Sequence, residues 1–121
     1  MENSRFTRSM LLDFYGELLT DKQRECFDLH YNEDLSLSEI AENEGISRQG
    51  VRDVIVRAEA AMTELEDKTG LIRRFMQMQK KVQGIEDAAK EIRTINYRQY
   101  ENPELERLTA QICEYAAALR E

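Results

Sequence analysis

Between Leu37 and Ala58 the chain reads LSEIAENEGISRQGVRDVIVRA, and within it Arg48, Gln49 and Arg52 are spaced for a definite chemistry. Arginine can pair bidentately with guanine O6 and N7, and glutamine with adenine N6 and N7, each pair giving about 1–3 kcal/mol of discrimination. Residues four apart on a helix are neighbours, so Arg48 and Arg52 would point the same way. Ser47 and Arg57 flank the group and are suited to phosphate contact. The alternative is a solvated face whose arginines offset nearby acids such as Asp53 and Glu59.

Base reading requires a scaffold that holds the first turns of one helix outward, and the same stretch carries one. Ala41 lets two helix axes approach, Gly45 supports a tight connection and Ile46 plugs the angle between the helices. Val51 and Val54 anchor the second helix against Ile40. This is the pattern of a helix-turn-helix, whose second helix enters the DNA major groove.

Capping residues and apolar spacing extend the reading outward. Phe6, Met10, Leu11, Phe14, Tyr15, Leu18 and Leu19 predict a first helix from about Ser4 to Leu19 with a broad apolar face. Thr20 with Gln23 is spaced for a capping box, and the helix it opens carries Cys26, Phe27, Leu29 and Tyr31 inward before ending near Asn32. Ser36 with Glu39 opens a third helix that stops at Gly45. Ser47 opens a fourth, with Val51, Val54, Ile55, Ala58, Met62 and Leu65 inward, lasting to Thr69-Gly70.

Beyond Gly70 the pattern changes to heptad spacing in Leu71, Phe75, Met78, Val82, Ile85, Ala89 and Ile92, with Gly84 weakening the helix without breaking it. Asn102-Pro103 is a cap followed by the first helical position. Leu105, Leu108, Ile112, Tyr115 and Leu119 continue as a last amphipathic helix, and the two seams could pair with each other or with a second copy. The expected division is residues 1–69, a four-helix helix-turn-helix unit, and residues 70–121, a C-terminal helical extension for interaction or dimerisation.

Composition limits the other classes. The 121 residues carry a formal charge of −7, with 41% hydrophobic and 34% charged side chains, one proline and five glycines. That balance favours ordered helices around one modest core. Residues 1–46 hold 4 basic and 11 acidic side chains, whereas residues 47–58 hold Arg48, Arg52 and Arg57 against Asp53. Any nucleic-acid contact is therefore local.

Cys26 and Cys113 lack metal-ligand spacing, so free thiols and no metal are expected. His30 is the only histidine, which leaves no paired motif for nucleophilic catalysis and a structural role for its ring. Asp28, Glu33 and Asp34 lack the calcium-loop pattern. No phosphate loop, cofactor motif or catalytic residue is recognised, and the protein is expected not to be an enzyme. The N-terminal residues lack the apolar stretch of a secretory signal and no run is long enough for membrane insertion, which predicts a cytoplasmic protein.

The segment from Leu19 to Leu65, LTDKQRECFDLHYNEDLSLSEIAENEGISRQGVRDVIVRAEAAMTEL, resembles region 4 of the bacterial sigma-70 family, which recognises the promoter −35 element. The whole chain is similar to the YlxM family of short bacterial helix-turn-helix proteins, with SLSEIAENEGISRQGVRDVIVRAE as the matching signature. Gly50 and Arg52 stand where alanine and an aromatic residue are expected in that family.

The resemblance implies an all-α protein, a sigma-70 region 4-like helix-turn-helix bundle followed by long C-terminal helices. It implies a regulatory or accessory role in the signal recognition particle pathway, through gene neighbourhood. It carries Arg48, Gln49 and Arg52 over as recognition residues and nothing as a catalytic site. The implied partners are DNA or signal recognition particle RNA, the particle's protein and its receptor. Two alternatives stand beside it: a sequence-specific DNA-binding transcriptional regulator, and a helical protein-interaction module that binds no nucleic acid.

Overall fold

Side-chain caps fix the helix boundaries of the first half of the chain. The computed structural model describes residues 5–120. Six helices follow one another: α1 (Arg5–Tyr15), α2 (Asp21–Tyr31), α3 (Leu37–Glu44), α4 (Arg48–Thr69), α5 (Leu71–Ile95) and α6 (Pro103–Leu119). No strand occurs among the described residues, so the fold is the all-α one expected.

Both expected capping boxes form. Thr20 accepts from Gln23 N while Gln23 accepts from Thr20 N, and Ser36 with Glu39 does the same at α3. Each box satisfies two of the backbone donors that a helix start leaves orphaned. Gly45 ends α3 at φ 70°, ψ 30°, and Gly70 ends α4 at φ 63°, ψ 21°. This left-handed conformation is costly for residues with a Cβ and routine for glycine.

The first helix departs from its expected length. It ends at Tyr15, and Gly16–Leu18 tighten into a 3₁₀ turn closed by Leu19 N to Gly16 O at 3.1 Å. Gly16 is a weak helix former, and Thr20 must be extended to cap α2, so α-geometry cannot persist to Leu19. The broad apolar face is only partly used: Leu11, Tyr15 and Leu19 are buried, whereas Leu18 is 71% exposed and Phe6 60%. The expected start at Ser4 lies outside the described residues.

The chain forms two compact units, Met1–Ile72 and Arg73–Glu121. In the first, α4 packs against α1, α2 and α3. Phe27, Leu11, Ile40, Met62, Val51 and Cys26 are its largest fully buried side chains. Each of the larger ones contributes about 1.5–3 kcal/mol by leaving water. Burial pushes the Cys26 thiol up, with the charge of Glu44 adding to it, so Cys26 behaves as a small core apolar group.

Where α4 ends, the carboxylate of Glu66 is buried. It accepts from Tyr15 Oη at 2.6 Å and from Ile72 N at 3.0 Å. Those donors come from the first helix and from the backbone just past Gly70, so one carboxylate ties the start of the unit to its end.

The second unit is a hairpin of α5 and α6 joined by a π turn at Asn96–Tyr100. Asn102 accepts from Glu104 N and Leu105 N, with Pro103 at the first helical position as expected, and α5 runs unbroken through Gly84. The two heptad stripes do not pair in the expected way. The side chains buried in the hairpin are Val82, Glu86 and Ala89 of α5, Asn96 of the π turn, and Thr109 and Ala116 of α6.

Polar contacts hold the hairpin at both ends. Arg120 donates to Gln83 Oε1 at 2.8 Å and to Glu86 Oε2 at 2.7 Å. At the turn, Asn96 donates to Asn102 O and accepts from Asn102 N. Such directional pairs set the register of the two helices, so the larger apolar residues are left on the surface.

Candidate nucleic-acid interface

The turn between α3 and α4 consists of Gly45, Ile46 and Ser47. Gly45 N and Ile46 N both bond to Ala41 O, at 2.9 and 3.2 Å. Ile46 packs against the core from this turn, and Ile40, Ala41 and Val51 are buried between the two helices. Ile40, Ala41 and Val51 are thus in the core as their types predicted, with Ile46 and Val54 partly buried against it.

Ser47 Oγ accepts from Gly50 N at 2.9 Å and leaves its own hydroxyl proton available for an acceptor. A Cβ on Gly50 would stand 3.1 Å from that Oγ. This gives a local reason for glycine at a position where alanine was expected: it leaves room for the cap that starts α4.

Arg48 and Arg52 are exposed, one turn apart on α4, and neither makes an ion pair or hydrogen bond with another described residue. Of the two nearby acids, Glu59 is paired with a cation, whereas Asp53 keeps its charge and is only oriented by a hydrogen bond. Asp53 Oδ1 accepts from Gln49 Nε2 at 3.0 Å, and Glu59 Oε1 lies 2.5 Å from Arg8 Nε. Arg8 also covers the Tyr31 ring at 4.6 Å. The hydrogen bond to Glu59 raises the Arg8 pKa against a smaller opposing effect of burial, so the guanidinium stays charged.

Gln49 is exposed but occupied, and it must release Asp53 before it can address a base. Arg57 is exposed as well. It follows Arg52 by five residues, which at 3.6 residues per turn is about 140° around the helix. The structure thus groups Ser47, Arg48, Gln49 and Arg52 at the start of α4 and sets Arg57 on another flank. The first turn of α4 also offers the positive end of a 22-residue helix.

Sequence reasoning did not single out Arg8. It is 51 residues from Glu59 in the chain, and only the fold brings it to α4. His30 is half-buried, with Nδ1 2.9 Å from Leu35 O and its ring edge-on to Tyr31, which is the structural role its position predicted. Among the described residues no group of three or more His, Cys, Asp or Glu side chains could hold a metal ion. No helix of the described residues is long and apolar enough to cross a membrane.

Residues 2–102 match the model of the family described as "Putative helix-turn-helix protein, YlxM / p13 like" (UPF0122). The chain belongs to this family. A UPF0122 protein of Caldanaerobacter subterraneus subsp. tengcongensis is 47% identical over 87 residues, covering 72% of this chain and 74% of its relative. One from Thermoanaerobacter sp. is 44% identical over 93 residues, 77% and 80% of the two chains. One from Bacillus thuringiensis is 45% identical over 86 residues, 71% and 78%. The matched residues 2–102 of this chain include the whole helix-turn-helix and α5 but stop before α6.

Proposed function

We propose that this protein is a nucleic-acid-binding regulatory or accessory factor of the signal recognition particle pathway, acting in the cytoplasm without catalysing a reaction. The observation that carries the nucleic-acid part is the pair Arg48 and Arg52, exposed and making no ion pair on the first turns of α4, while Glu59 on the same side is neutralised by Arg8. A chain of net charge −7 that exposes these two cations without an ion pair has a local, not a general, attraction for phosphate. The pathway part rests on the resemblance to the YlxM family. On this reading the N-terminal unit contacts the particle's RNA and the C-terminal hairpin is available to protein partners such as the particle's protein and its receptor.

The test is to add purified protein to the particle and its receptor and to measure both RNA retention and GTPase rate. A shifted RNA and an altered rate are expected. An unshifted RNA together with an unchanged rate overturns the pathway reading.

A second reading, a promoter-binding regulator, is favoured by Gln49, whose amide can pair with adenine once it leaves Asp53. Selection from randomised duplex DNA separates the two readings, since only the regulator enriches a sequence.

A further inference from the structure

The largest concentration of positive charge in the chain lies outside the helix-turn-helix. Residues 71–85 hold Arg73, Arg74, Lys80 and Lys81 and no acidic side chain, in a protein whose formal charge is −7. All four cations are exposed, as are Gln77 and Gly84. At about 100° per residue these six positions of α5 share a sector about 120° wide. The sector points roughly away from Val82, Glu86 and Ala89, the buried positions of the same helix. Asp87 and Glu91 end the basic stretch.

A helix face that serves only to be wet carries both signs of charge. The second half of α5 is of that kind, with Lys90 Nζ 3.2 Å from Glu86 Oε1. The first half is not. Arg73 and Arg74 stand at the start of a 25-residue helix whose first turn holds no acid, at the end where the helix dipole favours anions. Lys80 and Lys81 make no ion pair or hydrogen bond with another described residue. Neutral Gln77 lies between the two cation pairs and keeps them seven residues, about 10 Å, apart, which limits their mutual repulsion. The helix itself gains nothing from four like charges on one face, so they are placed for an anionic ligand.

We propose that this face of α5 is a second binding site, which takes the phosphate backbone of a double-stranded nucleic acid without regard to sequence. A duplex presents one charge about every 1.7 Å of its axis, and Arg73 to Lys81 spread four cations along about 12 Å of helix, enough to meet several phosphates. Gln77 adds an amide donor between them. The sector holds no aromatic side chain on which the bases of a single strand would stack. It holds no apolar side chain either, and so lacks both the anchor of a protein interface and the apolar face that a membrane-surface helix inserts.

The site lies wholly within the second compact unit, Arg73–Glu121, and differs in kind from the start of α4. Contacts to phosphate supply affinity and hold orientation, whereas base contacts specify sequence. The proposal stands whether or not Arg48 and Arg52 read bases.

The experiment is the salt dependence of binding by the full chain to mixed-sequence duplex DNA and to a duplex RNA, read by fluorescence anisotropy. Lys80→Gln with Lys81→Gln should flatten the slope of log affinity against log salt by about two and weaken low-salt binding about tenfold, with helicity unchanged by circular dichroism. The same change in slope is expected in a chain that already carries Arg48→Ala and Arg52→Ala, which separates this site from α4. The control Lys22→Gln with Arg107→Gln removes as much charge outside the stripe and should leave the slope as it was. Silence of the parent toward both duplexes, an unchanged slope in the lysine variant, or equal flattening in the control overturns the proposal. So does capture of phosphatidylglycerol vesicles that needs Lys80 and Lys81 when duplex binding does not.

Discussion

Arg8 Nε lies 2.5 Å from Glu59 Oε1, and this ion pair decides the charge of the α4 face on which Arg48 and Arg52 stand. Glu59 follows Arg52 by seven residues, two helical turns on the same side of α4 and about 10 Å along the axis. At roughly one Debye length an uncompensated carboxylate still weakens the attraction of that face for phosphate. Arg8→Ala is therefore expected to reduce nucleic-acid affinity a few-fold without touching the ligand, and Glu59→Gln in the same chain should restore it. Loss of the half-buried pair and of the Tyr31 contact should cost about 1–2 kcal/mol of stability, read by urea unfolding. Failure of the second substitution to restore binding would mean that Arg8 acts through the fold and not through charge.

Arg48→Ala and Arg52→Ala should each leave stability within about 0.5 kcal/mol of the parent, because both side chains are exposed and bond to nothing among the described residues. Thermal unfolding checks this. A loss of several kcal/mol would place them inside a contact that the structure does not contain.

Tyr15→Phe removes the hydroxyl that donates to Glu66 and leaves a buried carboxylate with one donor fewer. The expected cost is about 2 kcal/mol, the range of hydrogen bonds to charged groups, measured by urea unfolding. Burial first, and then the bond to Glu66, raise the Tyr15 pKa in the folded protein. A raised folded value means that this stability is complete below the unfolded tyrosine value and is lost as pH rises beyond about 10. The alkaline loss should be smaller in Tyr15→Phe than in the parent.

Glu39 has its carboxylate held below its ordinary pKa, first by the Ser36 backbone N–H and then by the Ser36 side chain. A lowered folded value gives stability that is present above the unfolded value and is lost as pH falls through the folded one. Glu39→Gln keeps an acceptor for the capping box but cannot titrate. Its acid unfolding, followed by circular dichroism below about pH 4, should be less steep than that of the parent. Equal steepness would remove the capping carboxylate from the acid limb.

Gly45→Ala should destabilise the N-terminal unit by about 1–2 kcal/mol. The backbone there is at φ 70°, and nothing lies within 4 Å of where a Cβ would be, so the penalty is conformational and not a clash. Gly45→Asn should cost less, since asparagine tolerates the left-handed region. Chemical denaturation of both variants tests the ordering.

Local chemistry was legible and long-range pairing was not. Thr20, Ser36, Ser47 and Asn102 cap helices as their types require, and Gly45 and Gly70 end them, because a cap depends on three or four neighbouring residues. The core of the helix-turn-helix was equally readable from Ile40, Ala41 and Val51. Periodicity gave the apolar stripes of α5 and α6 but not which neighbour each meets. Of the α5 stripe the hairpin buries Val82 and Ala89, but the rest of its buried side chains are Glu86, Asn96, Thr109 and Ala116, between ends held by Arg120 and Asn102, and the leucines and isoleucines of α6 stay exposed. Arg8 with Glu59, and Tyr15 with Glu66, each join residues 51 apart, and nothing in either local sequence marks the partner. At the candidate site the positions on α4 were readable, and Arg8, the partner that neutralises Glu59 beside them, was not.

The most direct measurement is a fluorescence anisotropy titration of the protein and of its Arg48→Ala, Arg52→Ala double variant against three labelled ligands at matched salt: signal recognition particle RNA, mixed-sequence duplex DNA and an unrelated structured RNA. Selective binding of the particle RNA by the parent, weakened at least tenfold in a double variant of unchanged helicity, is the expected result. Silence toward all three ligands, or binding that the double variant retains in full, contradicts a nucleic-acid role for the first turns of α4.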